Sequence, residues 1–279
     1  MNLPHLAQRL FNVPLAIAPE KAQIIVSALG GRFGVDFVHE YDAKVATSIR
    51  ADDNAGYAVE HGIGIIPVTG TLVHKTGNLR PESGMTGYDG IRHNFMSALN
   101  DPKVNGICLD IDSPGGEVAG CFDLSEYIFK SRGTKPVMAI LSDMAFSAAY
   151  AIASAADVIT VPKAGGTGSV GVVAMHADYS QKLEDEGVKV TMIHYGARKV
   201  DGNETQPLSN EALGRLQKDV NAMGEMFVKL VARNRGLSIK EVRDTQAGVF
   251  MGQAGVDIGF ADEVLAPEHA FEALVDACV

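Results

Sequence analysis

The sequence predicts an α/β protein with a largely parallel sheet. Of its 279 residues, 46% are hydrophobic and 30 are glycine, and short apolar runs alternate with helix-like segments. Alternation of this kind is typical of βαβ units, and abundant glycine suits tight turns and close backbone contacts. A charged fraction of 21% is too low for a disordered chain, and the length suffices to bury one large core.

Residues 1–58 are expected to form a small helical appendage with a linker, and residues 59–279 are expected to form the main domain. Within the appendage, a helix is expected to begin at Pro19 and to end at Gly30 and Gly31. Proline favours the first turn of a helix, and glycine favours the position just after the last one. Residues 41–57 are polar and weakly patterned, which indicates a linker.

The main domain is expected to alternate strands and helices from residue 62 onward. The long segment 209–235 carries apolar residues at three-four spacing, which predicts a helix with one buried face. The other expected helices are 120–132, 147–156 and 252–258. The expected strands are 63–68, 106–112, 136–141, 158–161, 170–174 and 190–193.

Charge and cysteine content exclude several kinds of partner. A net charge of −10, without a run of Lys or Arg, argues against nucleic-acid binding. The three cysteines, Cys108, Cys121 and Cys278, form no Cys-x-x-Cys pair. Neither a disulfide framework nor a zinc site is therefore expected, and a reducing compartment such as the cytoplasm fits. No cofactor or metal is predicted.

No membrane anchor is predicted either. The first ten residues lack a basic segment followed by an apolar one, so no signal peptide is expected. The most apolar stretch, 137–161, contains Asp143 and Asp157. A strand followed by a helix explains this stretch better than a bilayer span does.

A Gly-Gly turn is the first candidate site. The run Asp112-Ser113-Pro114-Gly115-Gly116 follows a predicted strand and precedes a predicted helix. Amides turned outward at such a turn can stabilise a developing oxyanion. An ordinary strand-to-helix turn explains the same residues equally well.

Ser147 is the candidate nucleophile. It stands among small residues at the predicted start of a helix, where free amides and the helix dipole favour negative charge. Capping the helix is the simpler role for Ser147 taken alone. Ser142 competes as nucleophile, although it lies nearer the end of the predicted strand.

A glycine-rich segment, Gly166-Thr167-Gly168-Ser169-Val170-Gly171, comes next. Its spacing matches G-x-G-x-x-G, but an apolar extended run follows where a dinucleotide site needs a helix. The segment is instead expected to pair with the main chain of an extended peptide.

Lys199 is the candidate general base, in a loop of small residues after residues 190–193. A lysine amine acts as a base near neutral pH only where burial lowers its pKa. On the sequence alone, a solvated lysine is the simpler interpretation. His176, at the expected start of a helix, and His194 are alternative bases, and neither has the spacing of a metal ligand.

Taken in order, these motifs resemble the signal peptide peptidase A family of Ser-Lys peptidases, and within it the branch of phage prohead, or head-maturation, proteases. The resemblance covers about residues 60–265. Each motif is short, but their order and spacing together are specific. The segments that carry it are 112–116, 146–157, 167–172, 196–203 and 249–262.

The resemblance implies a crotonase-like fold of repeated ββα units, as in the Clp proteolytic subunit, and assembly into a homo-oligomer. It implies that Ser147 is the nucleophile and Lys199 the base, with Ser169 orienting the lysine amine. The amides of Gly116 and Ala148 would form the oxyanion hole. Extended peptide or protein substrates are implied, such as capsid or scaffold proteins. Their binding residues would be Gly115, Gly168 and Val170.

Two departures from the family pattern matter. The family's serine is often followed by Gly-Gly, whereas Ala148 and Ala149 follow here and narrow the pocket. Membrane-bound members carry an N-terminal anchor that this sequence does not show, which favours the cytoplasm or the prohead interior. Two other functions stay open: a crotonase-type acyl-CoA hydratase or isomerase, with Glu117 and Asp143 as its carboxylates, and a non-catalytic capsid-associated scaffold protein.

Overall fold

A computed structural model of the chain describes residues 11, 13–30, 56–81 and 84–278. Within these residues the strands are β1 (Leu15–Ile17), β2 (Ala58–Glu60), β3 (Ile63–Thr69), β4 (Thr71–Val73), β5 (Met85–Gly87), β6 (Gly106–Ser113), β7 (Gly115–Glu117), β8 (Val137–Phe146), β9 (Val158–Val161), β10 (Gly166–Gly168), β11 (Val249–Met251) and β12 (Glu263–Val264). The helices are α1 (Pro19–Gly30), α2 (Tyr88–Asn100), α3 (Cys121–Lys130), α4 (Ala148–Ala153), α5 (Ser180–Asp185), α6 (Asn210–Arg235), α7 (Ile239–Asp244), α8 (Gln253–Asp257) and α9 (Pro267–Ala277).

Two sheets share the strands in a repeating pattern. The larger sheet runs β11-β10-β8-β6-β3-β2, and in addition β9 pairs with β8 and β12 pairs with β9. The smaller sheet runs β1-β7-β4-β5. The strands β3, β6 and β8 pair in parallel, while β2 and β11 pair antiparallel at the two ends. Twice in succession a strand of the larger sheet is followed by strands of the smaller sheet and then by a helix: β3 is followed by β4, β5 and α2, and β6 by β7 and α3. These are the predicted ββα repeats.

The central strand β8 changes its neighbour along its length. Met138 to Ile140 pair with β9, whereas Met144 to Phe146 pair with β10. The first half of β8 is buried on both faces, as expected for a central parallel strand. On one face of the sheet, Ala270 and Leu274 of α9 pack against Cys108 and Ile140. The second half of β8 delivers the chain to Ser147.

The chain divides into two compact units. The small unit comprises Met1–Leu15 and Val172–Met226, and the large unit Ala16–Gly171 and Phe227–Val279. In the small unit Leu15 and Val173 exchange two backbone hydrogen bonds, with N···O distances of 2.8 and 2.9 Å. Both sheets belong mainly to the large unit, together with most of the buried apolar side chains.

The structure confirms the α/β class and most predicted elements, with three corrections. The predicted strands 170–174 and 190–193 are wrong: among the described residues neither segment forms a strand, although Val173 makes an isolated bridge to Leu15, and the Ile193 side chain is 97% exposed. Apolar composition favours a strand, but a strand also needs a hydrogen-bonded neighbour. His176 does not open a helix, because α5 begins at Ser180. The predicted helix at Pro19 is confirmed.

The predicted domain boundary between residues 58 and 59 stays a prediction. Most of the predicted linker, 41–57, lies outside the described residues. Among the described residues, no helix is both long enough and apolar enough to cross a bilayer.

Candidate active site

Ser147 occupies a strained position between strand β8 and helix α4. Its backbone has φ 55° and ψ −117°, a combination that residues with a side chain rarely adopt. The side chain is buried with 1% exposure. The Ser147 N–H donates to the Gly168 carbonyl at 2.8 Å, and this bond helps to hold the turn. Strain of this kind persists only where the surroundings enforce it, and it is frequent at active sites.

The Gly115–Gly116 turn packs directly against Ser147. The N–H of Gly115 donates to Ser113 Oγ at 3.1 Å, and Ser113 Oγ donates to the Gly70 carbonyl at 2.7 Å. Gly115 has φ +100°, and a methyl group at its Cα would stand 3.0 Å from Ser147 Cβ. A methyl group on Gly116 would overlap the Leu72 carbonyl of β4. Both positions therefore require glycine.

Hydrogen bonds hold the backbone of Ala148 and of the helix that it begins in place. As the first residue of α4, Ala148 has an N–H without an acceptor inside the helix. Its carbonyl accepts a hydrogen bond from Cys121 Sγ at 3.5 Å, and Ser125 Oγ donates to the Ala151 carbonyl at 2.6 Å. The Tyr150 hydroxyl donates to the Phe260 carbonyl at 2.9 Å. Helix α4 is thus anchored by two side chains of α3 and by its own Tyr150.

Cys121 is a residue that the sequence analysis considered only for disulfides and metals. Burial raises the pKa of its thiol to about 12, so the group is uncharged at neutral pH and acts as a hydrogen-bond donor. Cys121 and Ser125 lie four residues apart on α3. That spacing puts both on one face of the helix, but nothing in the sequence shows that the face meets α4.

The glycine-rich segment lies beside Ser147 as part of the sheet. Strand β10 pairs with β8 on one edge and with β11 on the other. Ser169 has φ 55° and is 5% exposed, and its N–H donates to the Gly248 carbonyl at 2.8 Å. Val170 is buried. Ser147 Oγ donates to the Gly171 carbonyl at 3.4 Å, which keeps the hydroxyl close to this segment.

Lys199 belongs to the small unit, together with His176 and His194. It lies in an exposed turn, in which Asp201 forms a two-pronged ion pair with Arg215 of α6, at 2.6 and 2.8 Å. His194 Nδ1 lies 3.1 Å from the Gly196 carbonyl oxygen in the same loop. His176 is half-buried.

The competing residues have other surroundings. Ser142 Oγ donates to Asp110 at 2.6 Å, and both line an open cavity of about 670 Å³ that also borders α9. Asp143 is exposed. Together with Asp110 it adds to the effect of burial in raising the pKa of Asp112. The Glu117 carboxylate accepts the His74 N–H at 2.7 Å.

The sequence analysis missed strand β1. Leu15 to Ala18 are buried, and the Ala18 N–H donates to the Pro114 carbonyl at 2.8 Å, beside the Gly-Gly turn. A short apolar run between Pro14 and Pro19 was the available signal. The expectation of a helical appendage over residues 1–58 leaves no strand at this place.

Comparison with known proteins identifies the family. Residues 130–277, more than half of the chain, match Peptidase family S49. The chain belongs to Peptidase family S49. The predicted resemblance to the signal peptide peptidase A family is thereby confirmed at the level of the family. The matched range contains Ser147, Ser169 and Lys199, whose roles stay predictions.

Two phage proteins are similar to this S49 member over nearly its whole length. It is 40% identical to Capsid assembly protease C of Escherichia phage lambda, covering 99% of this chain and 66% of the relative. It is also 40% identical to Head-tail preconnector protein GP5 of Enterobacteria phage P21, covering 99% of this chain and 58% of that protein. The chain therefore spans about three fifths to two thirds of the length of these relatives.

Among solved structures, a ClpP1 mutant from Listeria monocytogenes is similar with a TM-score of 0.45 and 13% sequence identity. The match covers 74% of this chain and 93% of that one.

Proposed function

We propose that the protein is a serine endopeptidase that cleaves peptide bonds through an acyl-enzyme on Ser147. The observation that carries the proposal is the strained, buried Ser147 at the end of β8, packed against a turn whose two glycines leave room only for main chain. Family S49 membership supports the same chemistry.

The mechanism assigns the remaining roles within the site. Neutral Lys199 takes the proton of Ser147 Oγ, and the oxygen attacks the scissile carbonyl carbon. The amides of Gly116 and Ala148 stabilise the oxyanion, and loss of one such donor would cost about 3 kcal/mol. Lys199 then protonates the leaving amine, and water releases the acyl group from Ser147. Ser169 orients the lysine amine, a variant of triad logic.

The proposal includes assembly into a homo-oligomer. A lysine amine that serves as a base near neutral pH must lose contact with water, yet Lys199 is exposed in the single chain. Near Lys199 in the sequence, the side chain of Ile193 is 97% exposed and that of Tyr195 is 100% exposed. Apolar side chains in this state are suited to burial against another copy. Such burial would remove the lysine from water.

The substrates we propose are capsid or scaffold proteins of a phage prohead, bound as extended chains through Gly115, Gly168 and Val170. The similarity to a capsid assembly protease and to a head-tail preconnector protein supports this substrate class. The corresponding place of action is the host cytoplasm or the prohead interior.

The test is covalent labelling by a small fluorophosphonate, at a protein concentration at which the chain has assembled into its oligomer. Labelling is expected in the wild type and lost in Ser147→Ala and Lys199→Met, because the reaction needs both the hydroxyl and the amine. Two matched controls, Ser142→Ala and Lys189→Met, change an exposed serine and an exposed lysine and should label normally.

Four other results would contradict parts of the proposal. Labelling that survives Lys199→Met would transfer the base to His176 or His194. Labelling that survives Ser147→Ala would remove the nucleophile. Failure to label, combined with binding of an acyl-CoA ester, would favour the hydratase or isomerase alternative. A protein that self-associates but neither reacts with the fluorophosphonate nor binds an acyl-CoA ester would favour the scaffold alternative.

A further inference from the structure

Strand β1 is an apolar segment held in a fully buried, extended state. Leu15, Ala16, Ile17 and Ala18 are each at most 5% exposed, and Ala16 is completely buried. Prolines flank the segment at positions 14 and 19. A strand of three residues has little stability of its own. Its position must therefore come from the surface on which it lies.

That surface is strand β7 of the proposed oxyanion turn. In the smaller sheet β7 has β4 on one edge and β1 on the other. Leu72 of β4 pairs with Gly116, and the Ala18 N–H donates to the Pro114 carbonyl at 2.8 Å. Both edges of β7 are thus occupied. An extended peptide can add to β7 only if one neighbour leaves. Of the two, β1 is the one that can leave with less disruption, because β4 is continuous with the core strand β3.

The segment also lies close to the nucleophile. A methyl group on Gly115 would overlap the Ala16 carbonyl oxygen and would stand 3.0 Å from Ser147 Cβ. The Ala16 main chain and the Ser147 side chain are therefore near neighbours across the Cα atom of Gly115. A substrate main chain that pairs with β7 to present its carbonyl to Ser147 would need the same space.

We propose that residues 15–18 are a built-in blocking segment that occupies the peptide position of the active site and must be displaced before substrate binds. This inference rests on the proposed function, since it assumes that substrate pairs with the β7 edge. It adds a substrate preference. Because Ala16 is completely buried, we expect the substrate residue that takes its position to have a small side chain. Its neighbours are expected to be apolar, as in Leu-Ala-Ile-Ala.

The test compares two probes on the full-length protein. One is the small fluorophosphonate, and the other is a phosphonate that carries the peptide Leu-Ala-Ile-Ala. The variant Ala16→Glu puts a charge in the buried β1 position and should expel the segment. The control Ala273→Glu makes the same change at an exposed position of α9. The peptide probe should label Ala16→Glu about tenfold faster than the wild type, the gain when the open form rises from about a tenth to nearly all molecules. Ala273→Glu should match the wild type.

The two probes separate the failure of this inference from that of the proposed function. If the small probe labels nothing, the serine peptidase and the blocking segment both fall. If the small probe labels wild type and Ala16→Glu, yet the peptide probe labels them at equal rates, only the blocking segment falls.

Hydrogen exchange on the wild type avoids any variant that fails to fold. The amides of Leu15 and Ala18 are hydrogen-bonded, to the Val173 and Pro114 carbonyls, and should exchange slowly in the free protein. Once the peptide probe is attached to Ser147, both should exchange at least about tenfold faster. Unchanged protection with the peptide attached would overturn the proposal.

Discussion

The surroundings of Ser147 and those of Lys199 differ in almost every physical respect. Ser147 is buried and strained, and its N–H donates a hydrogen bond to Gly168 of β10. The helix that follows it is anchored by Cys121, Ser125 and Tyr150. Lys199 lies in an exposed turn of the small unit. The large unit holds the proposed nucleophile rigidly by itself, whereas the proposed base, Lys199, would need burial from outside the single chain.

The largest expected effect contrasts two glycines, one from each unit. Gly116→Ala should lower the free energy of unfolding by about 3 kcal/mol, because the added methyl group overlaps the Leu72 carbonyl. Gly214→Ala, in helix α6 with open space around it, should instead raise it by about 0.5–1 kcal/mol. Urea unfolding measures both. Equal effects at the two positions would contradict the contrast between the units.

A smaller effect is expected from two tyrosine hydroxyls. Tyr150→Phe leaves the buried Phe260 carbonyl without its donor and should cost about 1–2 kcal/mol. Tyr195→Phe removes a fully exposed hydroxyl and should change stability by less than about 0.5 kcal/mol. Thermal unfolding of both variants checks the pair. A loss at Tyr195 equal to that at Tyr150 would show that the loop of the small unit is already packed.

Cysteine alkylation sharpens the description of the large unit. Burial raises the pKa values of the Cys108 and Cys121 thiols, and both side chains are inaccessible. Iodoacetamide should therefore modify Cys278 alone in the native protein, and all three cysteines in urea. Intact-mass spectrometry counts the adducts. A second adduct on the native protein would mean that the packing around Cys108 or Cys121 opens readily.

The smallest effect concerns the anchor of the Lys199 turn. The hydrogen bonds from Arg215 lower the pKa of Asp201. The stabilisation is therefore complete above the ordinary carboxyl pKa of about 4 and is lost as the pH falls through the lowered folded value. Amide exchange of residues 196–202, corrected for intrinsic rates, should be constant between about pH 5 and pH 8.

The matched variant for this anchor is Arg215→Met. At neutral pH it should make residues 196–202 exchange faster while leaving the segment around Ser147 unchanged. Faster exchange at both places would contradict the independence of the two regions.

The sequence predicts the large unit better than the small one, for a physical reason. The strands β3, β6, β8 and β9 are apolar runs bounded by glycine, proline or charge, and local pattern suffices to find them. The segment 190–193 has a similar composition but pairs with no strand among the residues that the structure describes, and pairing is a non-local property. Strand β1 was missed for the converse reason, because its partner β7 lies about one hundred residues away in the chain.

The candidate site divides in the same way. Ser147 and the turn at Gly115 stand at strand ends that the pattern reveals, and their neighbourhood follows from parallel pairing of β6 with β8. The hydrogen bond from Cys121 to Ala148 depends on how α3 meets α4, which local sequence does not encode. The roles of Lys199 and Ser169 stay predictions, because they came from the family resemblance.

Strand β7 begins with two residues that have no side chains. A surface of this kind offers a partner only the repeating pattern of amide and carbonyl groups, which is nearly the same for every polypeptide. If substrates dock there, the strand distinguishes an unfolded segment from a folded one far better than it distinguishes one sequence from another. The choice of substrate would then be made largely before docking. It would depend on what brings an unfolded segment close to β7, and on when the edge of β7 is vacant.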